Sequence, residues 1–160
     1  MDELYQLVSK LGESLQTNNH CLVTAESCTG GGIAEAVTRL PGSSAWFDCA
    51  FVTYSNLAKQ SMLGVSSEML SQCGAVSEEV ATAMALAALK NSAGTVSIAV
   101  TGIAGPTGGS DDKPVGTVCF GFAEQNNLLE ACTMHFAGDR KAVRSKSIAF
   151  ALEKLQSLLS

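Results

Sequence analysis

Thr24-Ala-Glu-Ser-Cys-Thr-Gly-Gly-Gly32 decides how this chain is read. The residues before it, Cys21-Leu-Val-Thr24, are apolar and β-leaning, and those after it, Ile33 to Leu40, follow a helical pattern. The order is strand, sharp glycine-rich turn, helix. Such a turn aims backbone N–H groups at whatever sits above it, and the helix dipole adds positive potential there. Ser27, Cys28 and Thr29 put three nucleophile-capable side chains inside the turn. Taken alone, the stretch is equally a capped helix start, with Ser or Thr as N-cap and glycines for tight passage. The rest of the chain separates the two readings.

On the N-terminal side, Leu4, Leu7, Val8, Leu11 and Leu15 recur at helical spacing and predict an amphipathic helix over 2–17. The first strand is expected over 21–26 and the second helix over 30–39. Pro41-Gly-Ser-Ser44 is a turn. Cys49-Ala-Phe-Val-Thr-Tyr54 reads as a buried strand, followed by a helix from Asn56 to Leu63 that Gly64 stops. A short helix is expected over 66–72. Ser77-Glu-Glu-Val opens a long, Ala-rich helix to Lys90, with Ser77 as N-cap. Its small face suits close packing on a sheet. Thr95 to Val100 is the third strand.

Thr101 to Gly116 then holds five glycines and two of the three prolines, so it is a long loop, and long loops in small domains are usually functional. Strands over 115–123 and 128–136, joined by Glu124-Gln-Asn-Asn127, form an antiparallel pair. A closing helix runs from Gly138-Asp-Arg140 to about Leu159. Helices between the first three strands imply parallel crossovers. The expected architecture is one domain over 1–160, a three-layer α/β/α sandwich on a mixed, mostly parallel sheet of about five strands.

The 160 residues suit one domain with a full core. Apolar residues make up 46% and charged residues 16%, as in a globular chain. A net charge of −5 argues against a nucleic-acid partner. No apolar run reaches membrane-span length, and the acidic start Met1-Asp-Glu-Leu is unlike a signal peptide, so no membrane role and a cytoplasmic location are expected. The six cysteines include no C-x-x-C and read as reduced core residues. His20 and His135 form no ligand pattern, so neither a metal nor a cofactor is expected.

Parallel strands joined by crossovers present their C-terminal ends on one edge, where ligands bind. Three polar turns meet there: Ser27, then Tyr54-Ser55-Asn56, then Thr101-Gly102. Lys59, one helical turn past Tyr54, reaches back over the same edge. A Ser–His–Asp triad fits badly. His20 lies at the far end of the first strand, roughly 20 Å from Ser27 at about 3.3 Å per residue. The turn also lacks the G-x-S-x-G elbow. A serine nucleophile without histidine needs another base, and a desolvated lysine serves. Lys59 is the candidate, with Tyr54 as proton relay or orienting group; the bland alternative for Lys59 is a solvated surface lysine. Cys28 is the rival nucleophile, ranked as packing or as a backbone donor to an oxyanion. Glu26 either orients Lys59 or caps the loop.

Thr24 to Gly31, Phe51-Val-Thr-Tyr-Ser-Asn56 with Lys59, Gly74-Ala-Val-Ser-Glu78, Thr101-Gly-Ile-Ala-Gly-Pro106, Lys113-Pro-Val-Gly-Thr117 and Gly138-Asp-Arg140 with Val143-Arg144 together resemble the CinA C-terminal domain family. The resemblance spans essentially the whole chain. It implies hydrolysis of the carboxamide of nicotinamide mononucleotide to nicotinate mononucleotide and ammonia, with Ser27 as nucleophile and Lys59 and Tyr54 assisting. A mononucleotide also needs an anion site. Arg140, at the start of the last helix, is the candidate phosphate clamp, and the loop from Gly102 through Gly105 to Gly109, with Thr101 at its root, is placed to wrap ribose or ring. The Thr29, Gly30 and Gly31 amides are candidates for either oxyanion or phosphate, with the oxyanion favoured.

Two other classes remain open on sequence. One is a non-catalytic pyridine-nucleotide-binding module, which includes an inactive paralogue. The other is a structural partner domain, and the apolar helix faces are of the kind that pair in a homodimer.

Overall fold

The computed structural model describes residues 2–160. Six α-helices flank a five-stranded sheet of order β2-β1-β3-β4-β5. Helix α1 (Glu3–Thr17), capped by the Asp2 carboxylate, leads into β1 (Leu22–Glu26), α2 (Gly32–Thr38) and β2 (Phe47–Val52). Then come α3 (Asn56–Leu63), α4 (Ser67–Cys73), α5 (Glu78–Lys90) and β3 (Val96–Gly102). Strands β4 (Thr117–Glu124) and β5 (Asn127–His135) and the long α6 (Arg140–Leu158) complete the chain.

The expected three-layer class holds. One refinement concerns direction: β1 pairs in parallel with β2 and β3, whereas β3–β4 and β4–β5 are antiparallel. The ladders are therefore evenly divided rather than mostly parallel. The cause is the connection after β3, a loop with no crossover helix, which returns the chain alongside β3 in the opposite sense.

Leu22 to Glu26 and Val96 to Thr101 are buried on both faces, as strands covered by helices must be. On one face, Leu11 and Leu15 of α1, Ile33 and Val37 of α2 and Leu152 and Leu155 of α6 pack with Leu22, Ile98 and Phe120. On the other, Val80, Met84, Ala85 and Ala88 of α5 pack with Val23, Ala25 and Ala99. Helix α5 sits close on the sheet, as its small face predicts. A Cβ at Gly121 of β4 would lie 2.5 Å from the Ala81 carbonyl oxygen.

The topology fixes where a ligand can enter. From β1 the chain crosses by α2 to β2, then returns past β1 through α3, α4 and α5 to β3. The two crossovers lie on opposite faces, so the C-terminal ends of β1 and β3 diverge and open a crevice. Strand β2 ends at Val52, opposite Glu26, two residues earlier than the sequence suggests. Thr53 still donates its N–H to the Glu26 carbonyl at 2.9 Å, after which the chain peels away toward the crevice.

Candidate active site

Ser27 follows β1 directly. Its N–H donates to the Val100 carbonyl of β3 at 2.9 Å, which sets the residue at the divergence of the two strands. Ser55 caps α3 through its hydroxyl, and Lys59, one turn in, points back toward β1. Lys59 Nζ lies 2.9 Å from Ser27 Oγ and donates to the Tyr54 carbonyl at 3.3 Å. Ser27 Oγ also donates to that carbonyl, at 3.3 Å. Lys59 is only 2% exposed, so it is not a solvated surface lysine. No carboxylate pairs with it among the described residues. Burial pulls its amine below the usual lysine range, and the nearby Cys28 opposes this only in part. A lysine made easier to deprotonate, in contact with a hydroxyl, is the pairing that serine activation without histidine requires.

Cys28 is buried, and burial is the main force that pushes its thiol up to about 11. It stays protonated near neutrality and is a poor nucleophile beside Ser27. Its backbone N–H bonds to no other residue among the described ones. Glu26 takes the capping role, not the Lys59 role. Fully buried, its carboxylate accepts from the Thr24 and Thr29 hydroxyls at 3.0 and 2.7 Å and from the Ile33 and Ala34 N–H groups at 2.9 and 3.0 Å. It thereby locks the turn onto the start of α2.

A crevice of about 270 Å³ surrounds Ser27 and Lys59. Ser27, Cys28, Tyr54, Lys59, Thr101, Gly102, Gly105 and Arg140 all line it, so the structure gathers these expected residues in one place. Ala75 and Val76, from the α4–α5 connection, supply a wall; sequence marks their stretch without giving it a role. Thr101 braces that wall by donating its hydroxyl to the Ala75 carbonyl at 2.8 Å. Gly102 is sterically required, because a Cβ there would come within 2.8 Å of Val118.

Three expectations need correction. Thr29, Gly30 and Gly31 do not line the crevice. The turn rolls over: Thr29 is buried beneath it, the Gly30 N–H closes onto the Ser27 carbonyl at 3.0 Å, and Gly30 and Gly31 face a separate hollow beside Arg39 and Ile148. Tyr54 is 60% exposed on the rim, and its phenol accepts from Arg140 Nη2 at 2.8 Å rather than meeting Ser27 or Lys59. Its backbone carbonyl is what orients Ser27 and Lys59. Arg144, on sequence the next phosphate candidate after Arg140, instead donates to the carbonyls of Cys28 and Thr29 at 3.1 and 3.0 Å.

Arg140 bridges the rim by also donating to the Gly105 carbonyl at 2.9 Å. Both of its partners are neutral, so its charge is uncompensated and faces the crevice. The histidines lie elsewhere, as expected: His20 meets Thr95 and Glu124 at the opposite end of the sheet, and His135 lines a hollow beside Glu78.

A CinA C-terminal domain model matches residues 4–159. The nicotinamide-nucleotide amidohydrolase PncC of Escherichia coli K12 is 50% identical over 96% of this chain and 93% of its own. The PncC amidohydrolase of Pseudomonas putida is 48% identical over 99% and 98%. The crystal structure of the competence/damage inducible protein CihA from Agrobacterium tumefaciens superposes with a TM-score of 0.95 at 41% identity, covering 100% of this chain and 98% of that one. Among the described residues, no helix is long and apolar enough to cross a membrane.

Proposed function

The chain belongs to the CinA C-terminal domain family, and from that premise we propose that it is a nicotinamide-nucleotide amidohydrolase in pyridine nucleotide recycling. The reaction is hydrolysis of the carboxamide of nicotinamide mononucleotide to nicotinate mononucleotide and ammonia. The observation that carries the reading is the 2.9 Å contact between a buried, unpaired Lys59 amine and the Ser27 hydroxyl at the mouth of the crevice.

Neutral Lys59 takes the Ser27 proton as Oγ attacks the amide carbon, and the carbonyl π electrons move to oxygen. The Cys28 N–H, beside the nucleophile and bonded to no other residue among the described ones, is the donor for that oxyanion. Collapse of the tetrahedral intermediate breaks the C–N bond, and the Lys59 ammonium protonates the leaving NH2 nitrogen, which departs as ammonia. Water then attacks the acyl-Ser27 ester, giving one proton to Lys59, and Lys59 returns it to Ser27 Oγ as the carboxylic acid leaves and ionises to solvent. The Tyr54 carbonyl holds amine and hydroxyl in line throughout.

Arg140 supports a mononucleotide as substrate. It stands where the crevice meets a second cavity of about 530 Å³ floored by Ala104, Pro106 and Val115. Nicotinamide placed at Ser27 puts its ribose along the Ile103–Gly108 loop and its phosphate at Arg140. The test is ammonia release by the purified chain from nicotinamide mononucleotide, nicotinamide riboside and NAD. Release from the mononucleotide, with less from the riboside, is expected. Calorimetric binding with no ammonia from any of them would instead favour a non-catalytic nucleotide-binding module.

A further inference from the structure

Arg144 touches the nucleophile turn from outside the Ser27 crevice, and with Arg140 it lines the second cavity. Its Nε and Nη2 hold the carbonyls of the Cys28–Thr29 and Thr29–Gly30 peptides, one step beyond the Ser27–Cys28 peptide. In a planar trans peptide the carbonyl and the next N–H point in opposite directions. Gripping both carbonyls from one side therefore aims the Thr29 and Gly30 N–H groups away from the guanidinium. The Gly30 N–H meets the Ser27 carbonyl at 3.0 Å. That contact fixes the Ser27–Cys28 peptide, whose other end is the Cys28 N–H. The chain of constraint runs from Arg144 through Thr29, Gly30 and Ser27 to the Cys28 N–H.

The fit is close and the charge is uncompensated. Gly30 passes beneath the guanidinium at φ +58°, where a Cβ would lie 3.4 Å from Nη2. Arg144 makes no ion pair among the described residues. It stands four residues past Arg140, so one face of α6 serves both sides of the site. Its positive charge is felt at Cys28, whose thiol it lowers against burial, whereas burial and Cys28 are what act on Lys59.

We propose that Arg144 is a positioning residue for the amide hydrolysis: it holds the Ser27–Gly30 turn so that the Cys28 N–H meets the developing oxyanion, and its charge strengthens that donor. The inference rests on the reading of Ser27 as nucleophile. A neutral ground-state amide gains little from this arrangement and the oxyanion gains much, so the effect falls on kcat rather than on KM.

Arg144→Met and Arg144→Lys in the full chain test it. Arg144→Met is expected to lower kcat for nicotinamide mononucleotide on the order of 10²-fold, the scale of a misplaced catalytic geometry. KM and the pH limb set by Lys59 stay in place, and Arg144→Lys recovers part of the loss by keeping the charge. A raised KM with intact kcat would make Arg144 a phosphate clamp and overturn the proposal, as would an unchanged kcat. Should the Met variant fail to fold, Arg144→Lys carries the same test, with a smaller fall in kcat at constant KM. A second readout needs no nucleotide: the rate at which a fluorophosphonate labels Ser27, followed by intact mass. Slower labelling of the folded variant supports the positioning role even if the wild type releases no ammonia, an outcome that removes only the substrate reading. Equal labelling of variant and wild type, or no labelling of wild-type Ser27, overturns it.

Discussion

Lys59 Nζ and Ser27 Oγ stand 2.9 Å apart, and each also meets the Tyr54 carbonyl at 3.3 Å. The amine is buried with a hydroxyl and a carbonyl for company, in place of the carboxylate that usually accompanies a buried lysine. That arrangement lowers the pKa of the amine, and its consequences can be measured.

On the proposed mechanism, activity follows deprotonation of Lys59. Burial lowers its pKa from 10.5, so kcat/KM should rise with pH along a limb centred below that value. Stability has the same sign. Between the lowered folded pKa and 10.5 the unfolded chain binds more protons, so folding stability gains as pH rises through that window. Lys59→Met should lose both the limb and this pH-dependent gain in urea unfolding, along with nearly all activity.

Tyr54→Phe separates strut from relay. The variant keeps the carbonyl that orients Ser27 and Lys59 and loses only the hydroxyl that accepts from Arg140. Its kcat should stay within about tenfold of wild type. A loss of roughly 10²–10⁴, the scale of general acid–base catalysis, would restore the phenol to the proton path.

Arg140→Ala should mainly raise KM for the mononucleotide, by about 1.5–3 kcal/mol for a lost charged hydrogen bond. The preference for nucleotide over riboside should narrow in parallel. An unchanged preference would move the phosphate to another part of the rim.

Glu26→Gln probes the lock beneath the turn. An amide cannot accept all four of the donors that Glu26 now satisfies, so at least one buried donor is left unpaired. The expected cost is about 2–3 kcal/mol, read as a lower urea midpoint at unchanged slope.

Much of this site was legible before the fold was in hand, because one rule placed it. Crossover-linked strands share an edge, so the ends of β1, β2 and β3 had to converge, and Ser27, Tyr54, Lys59 and Thr101 came with them. What failed to show was orientation. Tyr54 was recognised for its phenol, yet the chain peels off the sheet at Thr53 and turns the Tyr54 carbonyl inward instead. The Thr29–Gly31 amides looked free because sequence does not reveal that Glu26 and the Ser27 carbonyl roll the turn over onto α2. Arg144 meets Cys28 across 116 positions, and only the docking phase of α6 brings the two together. Its spacing from Arg140 marks a shared face without saying what that face covers.

The central claim, a Ser27 nucleophile worked by Lys59, is tested most directly by ammonia release from nicotinamide mononucleotide in Ser27→Ala beside Cys28→Ala. Ser27→Ala removes one oxygen from a braced turn, so the fold and substrate binding should survive while kcat falls by at least about 10³-fold. Cys28→Ala should retain most activity, since the thiol is held protonated and only its backbone takes part. Groups that act as one unit lose function together, so Ser27→Ala combined with Lys59→Met should be scarcely worse than either alone. An active Ser27→Ala with a dead Cys28→Ala would contradict the account and make the thiolate the nucleophile.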